Sequence, residues 1–111
     1  MRMNAYVAGV GMTPFGKHLD RTLKSLAAEA VKLALHDAGL EGRDLQAAWM
    51  GNAAAGVVTG QEMIRGQVAL RSIGIGRIPV VNVENACASS STALHQAAAM
   101  VSAGLYDVVL A

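Results

Sequence analysis

Cys87 is the chain's only cysteine, and it lies in the run Pro79-Val-Val-Asn-Val-Glu-Asn-Ala-Cys87-Ala-Ser-Ser-Ser-Thr-Ala-Leu94. Val80, Val81 and Val83 read as a buried strand, and the small hydroxyl residues after Cys87 open an alanine-rich helix. Cys87 therefore falls at a strand-to-helix turn. A helix N-terminus leaves backbone N–H groups unpaired and carries about half a positive charge, a setting that favours a thiolate over a thiol. The same N–H groups can hold the oxyanion formed when a carbonyl is attacked. One turn would then serve nucleophile and electrophile together. The competing reading makes Cys87 a small buried hydrophobe, the usual state of a lone intracellular cysteine.

Other residue types give weaker chemistry. His95 follows Cys87 by eight residues along the same expected helix, so at 1.5 Å per residue it sits ~12 Å away. Direct proton transfer needs contact at about 3 Å or one bridging water. His18 and His36 stand on other elements without ligand-like spacing, so no metal site is expected. Gly9, Gly11 and Gly16 imitate a dinucleotide turn, but Pro14 interrupts the place where the helix would open. Ser89, Ser90, Ser91 and Thr92 form no Gly-x-Ser-x-Gly elbow and are expected to cap the helix and pack closely.

The elements that must position Cys87 follow from pattern. Ala5 to Val10 reads as a short strand closed by a loop with Pro14 and Gly16. Asp20 to Ala38 reads as an amphipathic helix, capped by Asp20 or Thr22 and stopped by Gly39. Leu45 to Met50 is a second strand, Gly51 to Gly56 a small-residue loop, and Thr59 to Ile73 a helix burying Met63, Ile64, Val68 and Leu70. The helix Ser89 to Ser102 is apolar nearly all round, as expected of one buried on more than one side, and Asp107 to Ala111 starts a last strand. Strands alternating with helices predict an α/β fold with a largely parallel or mixed sheet and packed helices.

A chain of 111 residues suffices for one domain, yet 53% hydrophobic against 15% charged residues leaves little polar surface to cover it. A large partner surface or a missing remainder is implied. The last residues stop inside the expected final strand, so residues 1–111 are expected to be the N-terminal portion of a longer protein or of a split assembly. A net charge of +1, scattered basic residues and 4% aromatics give no footing for nucleic acid. No signal segment and no transmembrane-length apolar run are present, so no membrane partner is expected. One cysteine forms no internal disulfide, and a cytoplasmic setting is the default.

The run Asn85 to Leu94 resembles the nucleophile region of thiolases, especially the acetyl-CoA acyltransferases similar to sterol carrier protein X. The resemblance is collinear. Ala5 to Gly16 is similar to that group's opening strand and loop, Leu26 to Leu40 to its first helix, and Gly104 to Ala111 to the strand after the nucleophile helix. Many thiolases carry Asn where this chain has Glu84, and Gly where it has Ser90. The resemblance implies the N-terminal part of a thiolase-like layered fold, with Cys87 as nucleophile in acyl transfer between a 3-ketoacyl-CoA and coenzyme A. It implies no tightly bound cofactor, coenzyme A or acyl-CoA as substrate, and a homodimer, higher oligomer or hetero-oligomer, with the helix after Thr59 near the dimer contact. Further catalytic groups, a second cysteine and histidines, would lie beyond Ala111, so the fragment alone is expected to be inactive. A related branch cleaves acyl-CoA thioesters by retro-aldol chemistry, and a non-catalytic thiolase-like subunit is the third reading.

Overall fold

Three strands, β1 (Ala47–Gly51), β2 (Val80–Val83) and β3 (Val109–Leu110), form a parallel sheet in the order β2-β1-β3. The computed structural model describes residues 2–111. Ala48 pairs with Val80 on one side of β1 and with Leu110 on the other. The chain leaves β1 for β2 in one direction, then passes back over β1 to reach β3. Crossovers of constant hand must therefore place their helices on opposite faces.

They do so. The helices are α1 (Leu23–Ala38), α2 (Ala55–Thr59), α3 (Arg65–Arg71) and α4 (Ser89–Ser102), with a 3-10 turn at Gly42–Asp44. On one face, Ala48 joins Val31 of α1, Leu70 of α3, Leu45 and Ile75. On the other, Ala47 and Trp49 meet Ala93 and Ala97 of α4. The period-2 alternation of a strand buried on both sides is thus read off three consecutive residues of β1. Trp49 closes its face with an edge-on contact to Tyr106, ring centroids 6.1 Å apart.

Local chemistry explains α1. Thr22 accepts a hydrogen bond from the Ser25 N–H while Ser25 accepts from the Thr22 N–H, a reciprocal capping box. Gly39 ends the helix in the left-handed conformation at φ 68°. Arg21, just before the helix, pairs with Glu29 within it.

Three expectations need correction. Ala5 to Val10 forms no strand: the segment lies across α1, where a Cβ on Gly9 would meet the Ala34 carbonyl at 2.5 Å. Asp37 accepts from the Val10 N–H and Ser102 from the Asn4 N–H, while Tyr6 and Val7 face outward. β-branched residues make a strand only when a neighbour pairs with their backbone, and the three-stranded sheet offers none here. The expected helix from Thr59 to Ile73 shrinks to α3, because Gly60 (φ 77°) stops α2, which starts earlier inside the expected loop, and Ile64 (φ 43°) turns left-handed before α3. That break leaves Met63 and Ile64 exposed. Finally, α4 buries Ser89, Ala93 and Ala97 on one side only, leaving Leu94 and Met100 outward.

Candidate functional site

β2 ends at Val83 and α4 begins at Ser89, so Glu84 to Ala88 make the turn that carries Cys87. Cys87 is free and exposed, so it does not serve as a filler of this core. Before it, Ala86 holds a left-handed backbone at φ 48°. A residue with a Cβ enters that region at a cost, and the neighbours hold it there. The Glu84 carboxylate accepts from the Ala86 N–H at 2.6 Å. Ser89 Oγ accepts from the Asn85 N–H and donates to the Ala86 carbonyl, both at 2.8 Å. Asn85 Nδ2 donates to Thr92 Oγ1, which itself donates to the Ala88 carbonyl.

The hydroxyl residues therefore do not cap α4 as expected. Its N-cap position is Ala88, which makes no side-chain cap bond. Ser89 and Thr92 reach backward instead and tie the cysteine turn to the first turn of the helix. Ser89 can do this because Gly51, at the end of β1, lets the start of α4 come close: a Cβ there would lie 2.8 Å from the Ser89 carbonyl and Ser90 Cα.

Beside the turn, at the carboxyl ends of β1 and β2, lies an open hollow of 210 Å³ lined by Met50, Asn52, Glu62, Arg65, Asn82, Val83 and Glu84. In open parallel sheets ligands favour that end of the strands. Asn82 accepts from the Gly66 N–H at 2.6 Å and donates to Gln67 at 2.7 Å, fixing α3 against β2. Arg65 donates to the carbonyls of Gln61 and Asn52, pinning the α2–α3 connection over the hollow. Glu84 belongs to both hollow and turn. Apart from Glu84, the polar residues of the hollow escaped the sequence reading, although a lone polar Asn82 within Val80–Val83 is the signal that could have found them.

The histidines stand apart from the turn. His95 is exposed on α4, His36 is exposed on α1, and His18 donates to the Pro14 carbonyl. Among the described residues no three His, Cys, Asp or Glu side chains gather as metal ligands would. No described helix is long and apolar enough to cross a membrane.

A parallel sheet covered on both faces, with a cysteine turn at the carboxyl end of an outer strand, defines an α/β domain of the thiolase-like class. The chain belongs to the thiolase family: residues 5–111 match the model of the thiolase N-terminal domain. It is 42% identical over 104 residues to an acetyl-CoA acetyltransferase of Methanocaldococcus jannaschii, covering 94% of this chain and 26% of that protein. It is 37% identical over 113 residues to sterol carrier protein 2 of Gallus gallus, covering 100% of this chain and 20% of that one. Among solved structures it is similar to an Ltp2–ChsH2(DUF35) aldolase, with TM-score 0.64, 30% identity, and coverage of 89% of this chain and 24% of that one. The chain thus spans about a quarter or less of the length of these proteins.

Proposed function

We propose that this chain supplies the nucleophile-bearing portion of a thiolase-type acyltransferase, with Cys87 as the nucleophile. The Cys87 sulfur attacks the keto carbon of a 3-ketoacyl-CoA, and the bond between that carbon and its neighbour breaks. The departing acetyl-CoA carbon takes a proton, and the acyl group stays on sulfur as a thioester. Free coenzyme A then accepts the acyl group and its thiol proton passes to the enzyme. Coenzyme A and acyl-CoA enter as substrates, with no tightly bound cofactor, and the working form is a homo- or hetero-oligomer.

The observation carrying this reading is the exposed Cys87 at the head of α4, in a turn whose polar groups are satisfied by its own side chains. The 42% identity to an acetyl-CoA acetyltransferase supports the substrate class. To test it, the protein made from its complete reading frame is incubated with acetyl-CoA and digested for mass spectrometry. An acetyl adduct on the Cys87 peptide, absent in Cys87→Ala together with thiolysis of acetoacetyl-CoA, is expected. Thiolysis that survives Cys87→Ala sinks the proposal.

A retro-aldolase acting on a hydroxyacyl-CoA is the second reading, favoured by the 30% identity to the Ltp2–ChsH2(DUF35) aldolase. It needs no free coenzyme A and leaves no acyl group on Cys87. Cleavage of a hydroxyacyl-CoA without added coenzyme A, unaffected by Cys87→Ala, would select it.

A further inference from the structure

Resting on the acyl-transfer reading, we propose that Glu84 is a positioning residue: its carboxylate holds Ala86 in the left-handed conformation that aims the Cys87 side chain. The Ala86 peptide groups are gripped from both sides. Ser89 Oγ and the Ser89 N–H, at 2.8 and 3.2 Å, hold the Ala86 carbonyl from the α4 side. Glu84 Oε2 holds the Ala86 N–H from the β2 side, at 2.6 Å. The remaining side-chain bonds of the turn come from Ser89 and Thr92, both on α4. Glu84, the first residue after β2, alone holds the turn from its strand end.

The backbone makes that tie consequential. Alanine at φ 48° is off its preferred regions, and a carboxylate acceptor makes a stronger bond to an N–H than a neutral one. Without it, the two peptide units before Cys87 can rotate toward ordinary right-handed or extended geometry. Such a rotation swings the Cys87 Cα–Cβ bond away from its place at the head of α4. Glu84 also lines the 210 Å³ hollow, so the same residue fixes the sulfur relative to the nearest recess on that edge of the sheet.

A nucleophile displaced by about 1 Å can cost a hundredfold in rate while substrate binding is little changed. In the protein made from its complete reading frame, Glu84→Ala is therefore expected to lower kcat for thiolysis by about 10- to 100-fold, with KM for acyl-CoA within about threefold. Glu84→Gln keeps an acceptor oxygen and should recover most of kcat. Glycine adopts positive φ freely, so Ala86→Gly placed in the Glu84→Ala background should restore both kcat and the rate of iodoacetamide labelling at Cys87. A Glu84→Ala loss that neither Glu84→Gln nor Ala86→Gly repairs would show that Glu84 acts through its charge and overturn the proposal. So would a Glu84→Ala protein with unchanged kcat and labelling. Labelling does not depend on thiolysis: if the wild type labels at Cys87 but performs no acyl transfer, the functional reading fails while the labelling series still decides the role of Glu84. Should Glu84→Ala fail to fold, Glu84→Gln against Glu84→Leu, with the Ala86→Gly partner of each, gives the same comparison.

Discussion

Ser89 is the one buried polar side chain among the described residues, 4% exposed, and its hydroxyl is spent entirely on the residues before Cys87. Ser89→Ala removes both bonds and leaves the Asn85 N–H without its acceptor. Asn85 is exposed, so the loss is that of ordinary hydrogen bonds, about 0.5–1.5 kcal/mol each, and the urea midpoint should fall with the m-value unchanged. Ser91 sits two residues on, exposed, with no side-chain bond of this sort, and Ser91→Ala should change stability by less than about 0.5 kcal/mol. Equal losses from the two substitutions would mean that the backward tie from α4 is not what steadies the turn. The place of Cys87 between a strand and a helix was legible from the residues around it. The role of Ser89 was not, because a hydroxyl one residue after a helix cap can bond forward or backward, and only the left-handed Ala86 decides which.

At the scale of elements, the two glycines that let helices meet the sheet separate by what they touch. A Cβ at Gly51 would lie 2.8 Å from backbone atoms of Ser89 and Ser90, so the whole start of α4 must move. A Cβ at Gly66 would lie 2.7 Å from Val80 Cγ1 and 2.8 Å from Met50 Cβ, crowding side chains as well as α3. Overpacking costs about 1–3 kcal/mol, and alanine inside α3 recovers up to about 1 kcal/mol of helix propensity. Gly51→Ala should therefore destabilise more than Gly66→Ala in thermal unfolding; the reverse order would place the tighter joint at α3. The elements themselves were readable where pattern and caps agreed. The helix ending at Gly39, the strand Val80–Val83 and the helix Ser89–Ser102 stand close to where periodicity put them. Misreadings came where the deciding partner is distant in sequence. Ala5 to Val10 has strand composition but rests on α1, and Ile64 turns left-handed within a segment whose residues carry a helical pattern.

Over the whole molecule, large apolar side chains stand outward in two stretches: Tyr6, Val7, Val10, Met12 and Phe15 before α1, and Val57, Val58, Met63 and Ile64 around α2. Tyr6 is 90% exposed and Phe15 94%, while the buried residues of both core clusters are mostly alanine, leucine and isoleucine or valine, with Trp49 the only large aromatic. A soluble chain seldom leaves so many contiguous apolar groups uncovered. Produced alone, residues 1–111 should therefore bind the dye ANS and associate in a concentration-dependent way, eluting ahead of an 11.4 kDa monomer. Trp49, 5% exposed between β1 and α4, reports whether the core survives in those assemblies. Val57→Glu with Val58→Glu should reduce association and leave the Trp49 emission where it was, because both side chains face outward and touch neither core cluster. If the pair instead shifts Trp49 emission to the red, α2 is part of the core rather than its uncovered edge. If the unmodified chain runs as a monomer with no dye binding, the exposed apolar stretches are satisfied within the chain, and its need for a covering surface disappears.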